Sequence, residues 1–121
     1  MPVLTQRVSA LAWNDEDHVQ ANRAAYAAKF AAVLPILSRS LEVTRPAAAF
    51  YLWPKTPFDD QQFAQDLFQQ TNITVLPGSF LSRPGSDGEI PGKNHIRLAL
   101  VAGLEECVEA AERICHFVDT Q

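Results

Sequence analysis

One arginine has the surroundings that a carboxylate-binding residue needs. Arg97 lies in the string His95 to Leu100, where apolar and polar positions alternate as they do in a β-strand. The alternation directs Ile96, Leu98 and Leu100 to one face. Arg97 then points to the other face, at the end of a glycine-rich loop. A guanidinium held on a strand can donate two parallel hydrogen bonds to a carboxylate, which lysine cannot reproduce. Two interpretations stay open: a carboxylate-binding arginine or a solvated strand arginine.

The other side chains that could do chemistry form no catalytic or metal pattern. The histidines are His18, His95 and His116. They are scattered, and none has a second ligand at zinc spacing. The pairs Asp59-Asp60 and Glu105-Glu106 fall where helices are predicted to begin, so the helix dipole accounts for them. Lys55 and Lys93 are loop residues, for which we expect a solvated charge. The sequence therefore predicts no catalytic residue, no cofactor-binding residue and no metal ligand.

Composition and charge exclude several classes of function. The chain has 121 residues, with 10 Lys or Arg against 14 Asp or Glu and a formal net charge of −4. This length suits one domain, and there is no excess of cations to bind nucleic acid or anionic lipid. No apolar run is long enough to span a membrane, and the first residues do not resemble a signal peptide. We expect a cytoplasmic protein with no nucleic-acid partner and no membrane partner.

The two cysteines are predicted to be reduced. Cys107 and Cys115 fall on one predicted helix, where eight residues at about 1.5 Å rise separate them by roughly 12 Å. A disulfide cannot span that distance. Buried packing is therefore expected for both thiols.

Apolar residues at helical spacing predict helices over residues 2–12, 15–40, 59–70 and 104–118. Pro35 lacks the amide hydrogen that would bond to the carbonyl four residues earlier, so we expect a kink or break near residues 31–35. The last helix is expected to bury one apolar stripe. Its members are Leu104, Cys107, Val108, Ala111, Ile114, Cys115 and Val118.

Three β-prone runs complete the predicted domain: Ala47 to Trp53, Ile73 to Leu76 and His95 to Val101. Both faces of the first strand are expected to be covered, because aromatic or apolar residues occupy both. A loop rich in glycine and proline spans residues 83–94. The order predicts an α+β or α/β two-layer domain, with helices packed on a small mixed or antiparallel sheet.

Several strings in this sequence resemble one enzyme family. They are Ala49 to Pro54 (AFYLWP), Val75 to Phe80 (VLPGSF) and Asn94 to Leu100 (NHIRLAL), supported by Ala12 to Val19 and by Leu104 to Arg113. In this order they resemble the C-terminal part of fold-type I pyridoxal-phosphate aminotransferases. Within that family the likeness is greatest to the succinyldiaminopimelate aminotransferases of lysine biosynthesis, and it covers nearly the whole chain.

The resemblance implies a domain organisation and a role for Arg97. Residues 14–121 would form the small C-terminal domain, and residues 1–13 a helix that contacts a large domain. Arg97 matches the family's arginine that binds the α-carboxylate of the amino-acid or keto-acid substrate. The family's cofactor-bearing lysine belongs to the preceding large domain, and none of Lys29, Lys55 and Lys93 matches its motif. We therefore expect no pyridoxal phosphate on this chain and no activity of the chain alone.

Two further expectations follow from the absence of a large domain in this sequence. The apolar residues Val3, Leu4, Val8 and Leu11 would be exposed, which predicts self-association through the N-terminal helix. The alternative function is a freestanding amino-acid-binding or regulatory module that keeps the carboxylate-binding arginine without chemistry.

Overall fold

Four helices and three short strands build the chain, and the computed structural model describes all residues 1–121. The helices are α1 (Val3–Asn14), α2 (Asp17–Leu37), α3 (Asp60–Thr71) and α4 (Leu104–Asp119). The strands are β1 (Tyr51–Leu52), β2 (Leu76–Pro77) and β3 (Ile96–Ala99), and a 3-10 turn at Gly78–Leu81 follows β2. No helix is both long and apolar enough to cross a membrane.

The three strands form an antiparallel sheet in the order β1-β3-β2. In β1, Leu52 pairs with Leu98, and in β2, Leu76 pairs with Arg97. The central strand β3 therefore receives hydrogen bonds from both sides, which makes it the most constrained strand of the sheet. This arrangement confirms the predicted α+β fold with helices on a small sheet.

The core lies between one face of the sheet and helices α2, α3 and α4. Phe63 of α3 and Phe117 of α4 meet edge to face, with their ring centroids 5.3 Å apart. Sixteen buried residues make up the core: Phe30, Val33, Leu37, Leu41, Leu52, Phe63, Leu67, Val75, Ile96, Leu98, Leu100, Cys107, Ala111, Ile114, Cys115 and Phe117. Helices α2, α3 and α4 all contribute to it, so the helices and the sheet are joined by one continuous apolar cluster.

Helix α2 continues through Pro35, so of the predicted kink or break the break does not occur. The helix ends at Leu37, which places Pro35 in its last turn. Only the bond to the carbonyl of Ala31 is lost there, while the neighbouring turns stay packed on the core through Val33 and Leu37. A proline near a helix end is tolerated far better than one at its centre.

The strands are shorter than predicted. The first is Tyr51–Leu52 rather than residues 47–53, because the chain bends before it and Ala49 adopts a positive φ of 97°. The second is shifted to Leu76–Pro77, and Pro77 is accommodated because β2 is an edge strand. The third is Ile96–Ala99, inside the predicted 95–101.

Two predictions about burial are wrong. The sheet face that carries Arg97 is not covered, because the helices pack on the opposite face only. Leu104 is 44% exposed, since it lies at the end of the α4 stripe, one turn before the first buried residue, Cys107. The remaining members of that stripe are buried or half-buried.

Helix α1 has no buried residue, as the sequence predicted. Its apolar side chains Val3, Leu4, Val8, Leu11 and Trp13 are between 57% and 84% exposed. The helix therefore presents an apolar stripe that the rest of this chain does not cover.

Candidate carboxylate-binding site

Arg97 lies at the middle of the sheet, on the face away from the helices. Its neighbours Ile96 and Leu98 are buried in the core, while Arg97 is exposed. Successive strand residues point to opposite faces, so burial of these two neighbours sets the outward direction of Arg97. Strands on both sides hold the backbone of β3, and the arginine is therefore displayed from a constrained position.

Aromatic side chains surround Arg97 on this face. The Arg97 guanidinium carbon lies 5.8 Å from the centroid of the Tyr51 ring, within the range of a cation–π contact. Trp53 is opposite Arg97, because the antiparallel register pairs Leu52 with Leu98 and Lys55 with His95. The Trp53 ring stacks on the His95 ring, with centroids 5.9 Å apart. We call the surface formed by Tyr51, Trp53, His95 and Arg97 the open sheet face.

No acid of the chain neutralises Arg97. The ion pairs of the chain join His18 to Asp15, Arg39 to Glu112, Lys55 to Glu42 and Arg113 to Glu109. Arg97 takes part in none of them, and its side chain makes no hydrogen bond within the protein. Its five N–H donors are therefore available to an external acceptor, and a carboxylate fits two of them in parallel.

The side chain of Asp60 bridges the turn after β2 and the loop before β3, and sequence reasoning missed this role. The side chain is 1% exposed and accepts hydrogen bonds from the amides of Ser79, at 2.9 Å, and Asn94, at 3.1 Å. Its neighbour Asp59 caps α3 by accepting from the amides of Gln61 and Gln62, in agreement with the expected first-turn role.

The charge of Asp60 is stabilised in the folded chain. Burial acts to raise the pKa of its carboxyl, but hydrogen bonds from the Ser79 amide and hydroxyl and from the Asn94 amide outweigh that effect. The net pKa lies below the ordinary value. A signal was present in the sequence, because Asp60 is three and seven residues before Phe63 and Leu67 and so lies on the buried stripe of α3.

Two glycines allow the loop before β3 to pack against the turn after β2. A Cβ atom on Gly78 would collide with the carbonyl oxygen of Gly92, and one on Gly92 would collide with that of Gly78. The Gly78 amide also donates to the carbonyl of His95 at 2.7 Å. The close approach fixes the backbone two residues before Arg97.

The lysines of this chain do not form a pyridoxal-phosphate site. Such a site needs a lysine free to form a Schiff base, with an acid for the ring nitrogen. Lys29 donates to the carbonyl of Leu100 at 2.9 Å, and Lys55 pairs with Glu42 at 3.7 Å. Lys93 is free, but it is exposed in the loop and has no paired acid that could serve the ring nitrogen. The residues present therefore do not fit the cofactor by themselves.

The cysteines are structural. Both are free and buried, which confirms the prediction of reduced thiols. Burial raises the pKa of the Cys107 thiol, and Cys115 donates to the carbonyl of Ile36 at 3.2 Å. No three side chains of histidine, cysteine, aspartate or glutamate come together as a metal site requires.

Comparison with known proteins gives one consistent family. Residues 1–114 match the family described as aminotransferase class I and II. An aspartate aminotransferase of Bacillus sp. strain YM-2 is 32% identical over 113 residues, which are 85% of this chain and 26% of that protein.

Solved structures agree with that match. A crystal structure of an aminotransferase from Neisseria meningitidis is 46% identical, with a TM-score of 0.90, over 98% of this chain and 30% of that chain. A probable N-succinyldiaminopimelate aminotransferase from Thermus thermophilus is 30% identical, with a TM-score of 0.70, over 85% of this chain and 26% of that one. This chain spans less than a third of the length of these relatives.

Proposed function

Since this chain belongs to the aminotransferase class I and II family, we propose that it is the small C-terminal domain of a pyridoxal-phosphate-dependent aminotransferase. In this proposal Arg97 binds the α-carboxylate of the amino-acid substrate and then that of the keto acid. The observation that carries it is an exposed guanidinium on a strand held from both sides, with no acid of the chain paired to it.

The open sheet face explains how Arg97 would act. The Tyr51 ring contacts the guanidinium in a cation–π arrangement, and no acid of the chain pairs with its N–H donors. A substrate carboxylate that accepts two of these donors is fixed in position and in orientation. The contribution of this chain is to bind and orient. Pyridoxal phosphate and the lysine that carries it would belong to residues outside this chain, and the chain alone would be inactive.

For the substrate, we propose an amino acid of the diaminopimelate class, in lysine biosynthesis. Support comes from the probable N-succinyldiaminopimelate aminotransferase of Thermus thermophilus, and also from an LL-diaminopimelate aminotransferase of Halothermothrix orenii, 33% identical over 75 residues. Aspartate aminotransferases are similarly related. Comparing kcat/KM for N-succinyldiaminopimelate and for aspartate in the full-length enzyme tests this choice, and a preference for aspartate would contradict it.

The arginine assignment is tested by Arg97→Lys in the full-length enzyme. Lysine keeps the charge but loses the planar pair of donors, so KM should rise for both the amino acid and the keto acid. Arg83→Lys is the matched control, because Arg83 is an exposed loop arginine outside the open sheet face. Unchanged KM values in Arg97→Lys would contradict the role.

The proposal includes a cytoplasmic location and a self-associating N-terminal helix. Free, buried thiols suit a reducing compartment. The exposed apolar stripe of α1 would be covered by the rest of the enzyme, or by a second copy when this chain is isolated.

A further inference from the structure

A cleft separates α2 from the segment that leads into β1. Its volume is about 420 Å³, within the range of small-molecule sites. The lining residues are Asn22, Arg23, Tyr26, Ala27 and Phe30 of α2, with Arg45, Pro46, Ala47, Ala48, Ala49 and Phe50 of the facing segment. None of them belongs to β3, so the cleft is distinct from the position of Arg97.

One wall of the cleft is aromatic. The rings of Tyr26 and Phe50 lie with their centroids 6.1 Å apart and tilted by 51°. Phe50 is 49% exposed although it is a large apolar side chain, whereas Phe30, which also lines the cleft, is buried. The small side chains of Ala47, Ala48 and Ala49 leave the opposite wall open. An aromatic ring of a ligand would cover the exposed part of Phe50.

The cleft is also cationic. Arg23 and Arg45 line it, and neither takes part in an ion pair of the chain. The Lys29 ammonium lies 4.8 Å from the Tyr26 ring centroid, but it donates to the Leu100 carbonyl and does not line the cleft. No aspartate or glutamate lines the cleft, although the whole chain has a net charge of −4. The positive charge is therefore local and unneutralised.

We propose that this cleft binds a small aromatic carboxylate. Its carboxylate would pair with the guanidinium groups of Arg23 and Arg45, and its ring would lie against Tyr26 and Phe50. The combination of unpaired arginines with an exposed ring favours such an amphipathic anion over an inorganic ion, which would leave the aromatic wall uncovered, and over a neutral aromatic compound, which would leave the cations unpaired.

The test is a titration of the ¹⁵N-labelled chain with 3-phenylpropionate, followed by NMR. We expect saturable shift changes at residues 22–30 and 45–50, and binding at least about tenfold tighter than that of the neutral 3-phenylpropanamide, because only the acid pairs with the arginines. Inorganic phosphate should bind more weakly than the aromatic acid. Equal binding of acid and amide, or no saturable change in these segments, would overturn the proposal.

Variants separate this cleft from the open sheet face. Arg23→Gln with Arg45→Gln should weaken the binding of 3-phenylpropionate about tenfold or more. If the double variant does not fold, Arg45→Gln alone should also weaken the binding of 3-phenylpropionate. Arg83→Gln is the control, and it should leave the shift changes at residues 22–30 and 45–50 unchanged, because Arg83 is an exposed loop residue outside the cleft. Loss of binding in Arg97→Gln but not in the double variant would overturn the cleft assignment and leave the role of Arg97 intact.

Discussion

Asp60 shows how a single buried charge stabilises the frame around the site. Its carboxylate accepts from the amides of Ser79 and Asn94, on the two segments that flank β3. Hydrogen bonds to a charged acceptor contribute more than neutral ones, and a buried amide that loses its partner is costly. The residue therefore links α3 to the strand that carries Arg97.

Asp60→Asn should lower the free energy of unfolding by about 2 kcal/mol at pH 7. The folded pKa of Asp60 is lowered, so its contribution is present above the unfolded-state value of about 3.8 and is lost as the pH falls through the folded pKa. The free energies of unfolding of wild type and variant, measured by urea denaturation, should therefore become equal at low pH. Asp59→Asn is the control, because asparagine caps a helix as well as aspartate does. A difference that persists unchanged at low pH would refute the charge-based explanation.

Ala49 holds a strained backbone conformation. Its φ of 97° lies in a region that a residue with a Cβ rarely adopts. Ala49→Gly should be more stable than Ala47→Gly by roughly 1 kcal/mol. Glycine raises the conformational entropy of the unfolded chain equally in both variants, but only at position 49 does it also relieve backbone strain in the folded state. Thermal unfolding of the two variants measures the difference. Equal stabilities would show that the chain relaxes at Ala49 without cost.

Sequence alone predicted the outward position of Arg97 on its strand, and it placed Asp60 correctly at the start of α3 but missed its buried bridging role. Alternation over six residues is a local property, so it places Arg97 opposite the buried face. The role of Asp60 depends on Ser79 and Asn94, which are 19 and 34 residues away. A position at the start of the helix accounts for Asp59, and the only sequence signal for the burial of Asp60 is its spacing of three residues from Phe63.

At the scale of elements, the helices were predicted well and the strands poorly. Long periodic stripes fix α2 and α4 within a few residues. β1 and β2 each have two residues, and their limits are set by pairing with β3 rather than by their own composition. Tertiary contacts also explain why α2 continues through Pro35.

Contact between the turn after β2 and the loop before β3 depends on glycine. Gly78→Ala should lower the free energy of unfolding by at least about 2 kcal/mol, because its methyl group meets the Gly92 carbonyl and backbone cannot move away as a side chain can. Gly85→Ala is the matched control, since its methyl group would first meet the mobile side chain of Asp87. Chemical denaturation compares the two. A Gly78→Ala variant as stable as Gly85→Ala would mean that this packing is loose.

At the scale of the whole molecule, α1 is the element without a partner in this chain. Association would remove the exposed apolar stripe of α1 from water, which is favourable. The isolated chain should therefore associate as its concentration rises. Sedimentation velocity should show this association, and Leu4→Gln with Leu11→Gln should abolish it, whereas Thr5→Gln should not. A monomer at all concentrations would contradict the prediction.

The central claim is that Arg97 binds the substrate's α-carboxylate, and a substrate-by-variant cycle tests it most directly. In the full-length enzyme, kcat/KM is measured for an amino-acid substrate and for its α-carboxamide, with wild type and with Arg97→Lys. We predict a loss of about a hundredfold for the carboxylate substrate and little further loss for the amide, because the amide never formed the paired hydrogen bonds. Equal losses for both substrates would contradict the account.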